Sequence, residues 1–305
     1  MINTLSGSFR LFRIVEIDVF LHWSWFMVAI FEINNRRDSY SALAWNVAEY
    51  VALFVIVLLH EFGHALACRQ VGGQANRIVL WPLGGVAFVA PPQRPGATLW
   101  AIAAGPLVNL VLIPPALLFA VASQRFGFGE TFPDAQHFLW AMAYINIGLL
   151  VFNLLPVYPL DGGQILRSLL WFGLGRTRSL KLATIIGFAG AAGLLVVAFF
   201  LTSILMGVVA LFILMTCWRG WKQAELLAQM DALPRHSGFA CPVCKTAPPV
   251  GAFWICHHCR TPFDTFVTGA RCPQCQTRFE TTGCVQCGTP RPFAEWVQPP
   301  PISPS

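Results

Sequence analysis

Long apolar runs alternate with short polar breaks along most of this chain. Val19 to Ile33 is apolar and aromatic, with Trp23 and Trp25 suited to a membrane–water interface, and predicts a first span, short but extendable at its N-terminal side. Ala42 to Cys68 predicts a second. Thr98 to Ala122 predicts a third, kinked by Pro106, Pro114 and Pro115. His137 to Leu155 predicts a fourth, ended by Pro156 and Pro159. Leu182 to Trp218 is one apolar run. A single helix of about 37 residues would be about 55 Å long, against a hydrocarbon core of about 30 Å, so two short spans joined near residues 201–203 are expected. The expected fold is an all-α polytopic membrane protein of about six transmembrane helices.

Two stretches break the helical pattern. Residues 1–18, with Glu16 and Asp18, read as a lead-in at the membrane surface with some strand character. Arg69 to Gly96 is too polar and too rich in Gly and Pro to span. Within it, Arg77 to Val89 gives two β-like runs around Gly84-Gly85, either a short membrane-associated β-hairpin or a surface loop. Irregular backbone at membrane depth is tolerated only where protein or a water cavity shields it.

Composition agrees with a lipid-solvated chain. It is 56% hydrophobic and only 11% charged, with mean hydropathy +0.60; soluble domains carry about a quarter charged residues. The net charge of +6 is no argument for nucleic acid, because on a membrane protein placement matters more than the sum. With six spans and a cytosolic N-terminus, Arg10, Arg13, Arg69, Arg77, Arg94, Arg167, Arg176, Arg178, Lys181, Arg219 and Lys222 fall inside. Only Arg36, Arg37 and Arg125 fall outside, a strong positive-inside bias. Both termini are then cytosolic, with a basic loop at 167–181. No small-residue cleavage site follows the first apolar segment, so no cleavable signal peptide is expected.

The second span carries His60-Glu61-Phe62-Gly63-His64. Residues four apart share a helix face, so both imidazoles can reach one zinc ion. Glu61 beside them is placed to take a proton from a water at that ion. A third ligand must come from elsewhere. Asp161, in the stretch Asn153-Leu-Leu-Pro-Val-Tyr-Pro-Leu-Asp161-Gly162, can supply it; the bland reading is a helix cap. The positive-inside topology puts His60, His64 and Asp161 toward the same face at similar depth. His22 and Cys68 have competing readings, as ligands or as an interfacial histidine and core filler, and Glu49 reads as a wet or interfacial carboxylate.

These two motifs, with Ala104-Gly105-Pro106-Leu107-Val108-Asn109, resemble the site-2 protease family of intramembrane zinc metalloproteases, in its sporulation-type branch. The resemblance covers about residues 1–222. It implies peptide-bond hydrolysis within or beside a transmembrane helix, with zinc on His60, His64 and Asp161, and Glu61 as general base. It also implies a membrane-dipping hairpin at Gly84 and Gly85 that guides substrate. Asn153 is expected to help stabilise the oxyanion. Asn109, polar at membrane depth, is expected to bind substrate or to bridge helices. Two rivals stand beside this reading: a non-catalytic membrane-anchored adaptor, and a zinc transporter, for which the spans offer few polar residues.

The C-terminal part departs from the family. A linker (223–238) starts in an amphipathic helix over residues 221–233. Four Cys-x-x-Cys pairs follow within 239–289. Two such pairs complete a tetrahedral Cys₄ site. Comparing spacings pairs Cys241, Cys244, Cys256 and Cys259 at one structural zinc, and Cys272, Cys275, Cys284 and Cys287 at a second, a double zinc ribbon. Crossed pairing and an iron–sulfur cluster are the alternatives; disulfides conflict with a cytosolic placement. The ribbons could hold substrate, dock a regulatory protein or gate access; no dense basic patch with interleaved aromatics points to nucleic acid. Residues 290–305, rich in Pro and Ser, are expected to be disordered.

Overall fold

The computed structural model describes residues 7–81 and 84–297. The chain divides into two compact units, one built from residues up to 91 together with 95–221, the other mainly from residue 222 onward.

The first unit opens with two strands, β1 (Ser8–Ile14) and β2 (Ile17–His22), followed by a short helix α1 (Ser24–Asn35) and a long helix α2 (Leu43–Gln70). Strands β3 (Gln74–Trp81) and β4 (Gly84–Ala90) come next. The four strands form one sheet in the order β1-β2-β3-β4. Outer pairs are antiparallel, and β2 runs parallel to β3, with α1 and α2 as the crossover. The segment expected to be a hairpin is therefore half of a larger sheet, and the fold is mostly helical rather than all-α. Alternation explains it: Ile17, Val19 and Leu21 turn inward with Ile78 and Leu80, against Val57, Ala65 and Cys68 of α2.

This sheet also corrects the first span. Val19 to His22 belong to β2, so the apolar run cannot extend N-terminally as helix. The 12 residues of α1 make a helix of about 18 Å. Tyr50 Oη donates to the Trp25 carbonyl (2.7 Å) and Asn46 Nδ2 to that of Arg36 (2.6 Å), fastening α1 to α2. Glu49, expected to be wet, is buried between Arg36 and Tyr40, whose hydroxyl donates to it at 2.6 Å.

Helix α3 (Pro95–Arg125) runs through all three prolines, and after a single turn α4 (Phe128–Thr131) come α5 (Pro133–Leu154), α6 (Asp161–Phe200) and α7 (Ile204–Asp231). The break expected near residues 201–203 lies between α6 and α7. The expected basic loop at 167–181 is helical instead, interrupted only at Gly175, whose φ of 78° is costly for any residue with a Cβ. Among the described residues, four helices are long and apolar enough to cross a membrane: α2, α3, α5 and α6.

The second unit begins within α7, which absorbs most of the expected linker. Beyond it lie two small antiparallel pairs: β5 (Trp254–Ile255) with β6 (Pro262–Phe263), and β7 (Thr281–Gly283) with β8 (Pro290–Pro292). The tail is not disordered from residue 290, because β8 pairs with β7 and a 3-10 turn, Phe293–Trp296, leaves Trp296 only 1% exposed. The rest of that expected tail, residues 298–305, lies outside the described residues, as do Pro82 and Leu83 of the expected hairpin.

Candidate active site and metal centres

Helix α2 places His60 and His64 one turn apart, and Asp161 is the first residue of α6. The short approach of α6 to the end of α5 depends on Gly162 and Gly163. A Cβ at Gly162 would lie 2.3 Å from the Leu154 carbonyl oxygen, and one at Gly163 would lie 2.3 Å from the Tyr158 nitrogen. The turn carrying Asp161 is also fastened from behind, since Cys217 Sγ donates to the Tyr158 carbonyl at 3.1 Å.

The three side chains converge. His60 Nε2 lies 3.0 Å and His64 Nε2 3.3 Å from the same oxygen, Asp161 Oδ2, and the two imidazole nitrogens are 3.1 Å apart. The other ring nitrogens are already committed. His60 Nδ1 donates to Asn109 Oδ1 (2.5 Å) and His64 Nδ1 donates to the Ala101 carbonyl (2.9 Å). Both acceptors demand a proton on Nδ1, which leaves each Nε2 with a lone pair. The Asn109 amide is itself oriented: its Nδ2 donates to Asn146 Oδ1 at 2.6 Å, and Asn146 Nδ2 returns to the Asn109 carbonyl at 3.0 Å. Two nitrogen lone pairs and a carboxylate oxygen with no donor of its own thus face one another in a buried pocket. Without a cation they repel; protonating both rings instead would put two cationic N–H groups 3.1 Å apart. A divalent metal satisfies all three, and two imidazoles with one carboxylate suit zinc. Gly105 makes room for it, because a Cβ there would lie 2.3 Å from His64 Nε2 and 2.8 Å from His60 Nε2.

Glu61, 5% exposed, accepts a hydrogen bond at Oε2 from the Ala87 backbone N–H (2.8 Å). Ala87 sits on β4, an end strand of the sheet, so the general-base candidate is held by the strand edge nearest it.

The remaining candidates divide. Of the two readings of Asn109, substrate contact or bridge between helices, the structure bears out the bridge: it is fully buried and its side-chain amide bonds His60 of α2 and Asn146 of α5. Gly84 and Gly85 stand at the start of β4, opposite Trp81 and Leu80. Asn153 is half-buried in the last turn of α5 and is not among the converging three. His22 stacks on Trp81 at 4.1 Å, and the Cys68 thiol points to the Gln74 carbonyl; neither joins the cluster. Sequence reasoning missed Asn146 and the Ala101 carbonyl. Asn146 carried a signal, a second lone amide within an apolar helix.

In the second unit the cysteines gather as Cys241, Cys244, Cys284 and Cys287, and as Cys256, Cys259, Cys272 and Cys275. This overturns the sequential pairing. The inner site closes on the hairpin between the second and third pairs, and the first and fourth wrap around it. The spacing argument could not discriminate, because 11, 12 and 8 residues separate successive pairs, all short enough for a turn. What decides is the aromatic core around the outer site: Phe239, Phe266, Phe293 and Trp296, with Ala240 N donating to the Trp296 carbonyl (2.9 Å). Sulfur separations are 3.7 Å for Cys241–Cys287 and Cys244–Cys284, and 3.5 Å for Cys256–Cys275 and Cys259–Cys272. A tetrahedron of zinc–sulfur bonds of about 2.3 Å has edges of about 3.8 Å, whereas a disulfide is about 2.05 Å. Both clusters therefore fit zinc.

Each knuckle also repeats a feature that sequence reasoning overlooked: a threonine two residues past the second cysteine, at Thr246, Thr261, Thr277 and Thr289. Its carbonyl accepts from the backbone N–H of the first cysteine in all four. At Thr261 and Thr277 the hydroxyl also lies 3.2 and 3.1 Å from the second cysteine's sulfur. Between the clusters Asp264 ties the loops together. Burial pushes its carboxyl up, but donors from Gly251 N, His236 Nε2 and Phe266 N outweigh that and hold it below the ordinary carboxylate range.

Comparison with known proteins fits this geometry. The model of peptidase family M50 matches residues 48–135 and 129–197. A zinc metalloprotease of Methanocaldococcus jannaschii is 33% identical over 231 residues, 75% of this chain and 64% of that protein. Stage IV sporulation protein FB of Bacillus subtilis is 33% identical over 126 residues, 41% of each chain. The chain thus spans less than two-thirds of the length of these curated relatives. The solved site-2 protease of Methanocaldococcus jannaschii superposes with a TM-score of 0.52 at 28% identity, covering 70% of this chain and 95% of that one. With its paired histidines and Asp161 brought to one point, the chain belongs to the M50, or site-2 protease, family.

Proposed function

We propose that this chain is an intramembrane zinc metalloprotease that hydrolyses peptide bonds within or near transmembrane segments of other membrane proteins. The observation that carries the reading is the convergence of two imidazole nitrogens and a carboxylate, on the helix that carries Glu61 and on others apolar enough to lie in lipid. His60, His64 and Asp161 hold the metal. When bound, zinc acidifies a water and polarises the scissile carbonyl.

Glu61 takes one proton from the attacking water as its oxygen bonds to the carbonyl carbon. It then delivers that proton to the amide nitrogen as the carbon–nitrogen bond breaks. Asn109 and the Ala101 carbonyl hold the Nδ1 protons of His60 and His64, so that both Nε2 atoms would be free to bind the metal. Asn153 would steady the developing oxyanion from the end of α5. A substrate helix must unwind to expose its amide, and the outer edge of β4 from Gly84-Gly85 to Ala87 can take the extended peptide by strand addition. Such a strand would run directly past Glu61.

The site requires one catalytic zinc, and the nested clusters two structural ones. Partners are a transmembrane protein or peptide substrate, membrane lipids and a regulatory protein at the ribbons; nucleic acid is not among them. The localisation that suits this reading is the cell membrane, multi-pass, with both termini cytosolic. Six crossings would need α7 and the 12-residue α1, which at about 18 Å is short of a full hydrocarbon core, to join the four long apolar helices. The deciding measurement is cleavage of a membrane-embedded reporter by the wild type and by Glu61→Gln. The variant should lose all detectable cleavage while keeping its zinc; equal cleavage by both proteins would defeat the proposal.

A further inference from the structure

Helices α6 and α7 touch where both are small. A Cβ at Gly187 would lie 2.5 Å from Cys217 Sγ, and one at Gly220 would lie 2.7 Å from Thr184 Cγ2. Beside this contact runs a groove of about 400 Å³, lined by Phe188 of α6 and by Leu214, Met215, Trp218 and Arg219 of α7. The α7 residues form two pairs one turn apart, so they share a face, with the arginine at its C-terminal end. That face is open: Met215 and Trp218 are 57% and 59% exposed.

The groove is apolar along its length and cationic at one end. Between Asp161 and Glu225 the chain has no acidic residue but six basic ones. Glu225, the first carboxylate after Arg219, is engaged by Lys222 at 3.0 Å. Lys181, at the same end of the helix pair, sits over the Trp221 ring at 4.8 Å. Arg219 itself is exposed. A free inorganic anion would use the arginine and leave the apolar walls bare. A neutral acyl chain would use the walls and leave the charge. An anionic phospholipid uses both, because the planar donor fork of arginine matches its phosphate in shape and charge, and the surrounding cations favour a net negative headgroup.

We propose that the α6–α7 groove binds one anionic phospholipid, with its phosphate on Arg219 and an acyl chain along Phe188, Leu214, Met215 and Trp218. The proposal rests on the reading of α6 and α7 as membrane helices but not on catalysis. Cys217, beside Trp218, is the residue that bonds the Tyr158 carbonyl. A lipid seated here therefore braces the helix pair that fastens the turn carrying Asp161.

The test uses the full chain in the Glu61→Gln background, so that the outcome is independent of proteolysis. Protein is reconstituted in nanodiscs of phosphatidylcholine with phosphatidylglycerol, and retained lipid is read by native mass spectrometry. The parent should keep a phosphatidylglycerol molecule in preference to phosphatidylcholine. Arg219→Gln should lower its retention about fivefold, and Arg178→Gln, which removes an exposed charge elsewhere on α6, should not. Met215→Trp, at an exposed position, fills the groove and should lower retention with Arg219 intact, so the site stays testable if Arg219→Gln fails to fold. Unchanged retention in Arg219→Gln or in Met215→Trp would overturn the site, and an equal loss in Arg178→Gln would do so by revealing diffuse attraction. Equal retention of phosphatidylcholine by the parent would overturn the anionic assignment. A lipid-free dimer that Met215→Trp dissociates would give the groove to a second copy of the chain and overturn the lipid proposal.

Discussion

Asn109 bears on the proposed metal site through His60. Its Oδ1 fixes the proton on His60 Nδ1, and Asn146 fixes the amide that does so. Replacing Asn109 with Ala strands a buried imidazole N–H and frees the ring to change tautomer. Outer partners of this kind are worth about 10- to 100-fold in metal affinity. Zinc titration against a competing chelator should show a loss of that size for Asn109→Ala, and a smaller one for Asn109→Asp, which keeps the acceptor. Unchanged affinity in both would mean that His60 is oriented by packing alone. The convergence of His60, His64 and Asp161 was legible because metal-binding chemistry is written in residue type and spacing. Asn109 and Asn146 were visible only as isolated polar residues, since pairing across two helices leaves no local pattern. The Ala101 carbonyl has no signature at all, because every residue carries one.

Among the elements, β4 has the closest bearing on catalysis. Its Ala87 N–H is the donor that holds Glu61, and its outer edge is where the proposed reading puts an extended substrate. Ala87→Pro removes that donor and one edge position for strand pairing at once, and proline is tolerated on an end strand. A hydrogen bond to a charged group contributes about 1.5–3 kcal/mol, so cleavage of a membrane reporter should fall about 10- to 100-fold. Zinc content should stay unchanged, because the ligands lie on α2 and α6. Loss of zinc along with activity would show instead that the sheet supports the whole site. The sheet was only half legible. β3 and β4 stood out through Gly, Pro and polar breaks, whereas β2 runs into α1 without an apolar–polar boundary. Only the alternation Ile17, Val19, Leu21 betrays its strand, and the continuous hydrophobicity of the next residues masks it.

In the molecule as a whole, the two units obtain stability by different routes. The first buries apolar side chains between helices and sheet. Among its described residues the second has only small strand pairs and an aromatic cluster, so metal held by its cysteine clusters would supply much of its folding energy. Its nested wiring makes a prediction that the sequential alternative contradicts. Cys241→Ser and Cys287→Ser act on one site, so the double variant should lose the same single zinc as either alone. Cys241→Ser with Cys256→Ser should lose two. Sequential wiring reverses this, because Cys241 and Cys256 would then share a site and Cys241 and Cys287 would not. Zinc stoichiometry of the purified full chain separates the two patterns. Hydrogen exchange adds a second mark, because the outer site is closed by Trp296 and Phe293. Loss of that zinc should therefore expose the amides of residues 290–297 along with those of the first knuckle. If those amides respond to Cys256→Ser but not to Cys241→Ser, the nested arrangement is wrong.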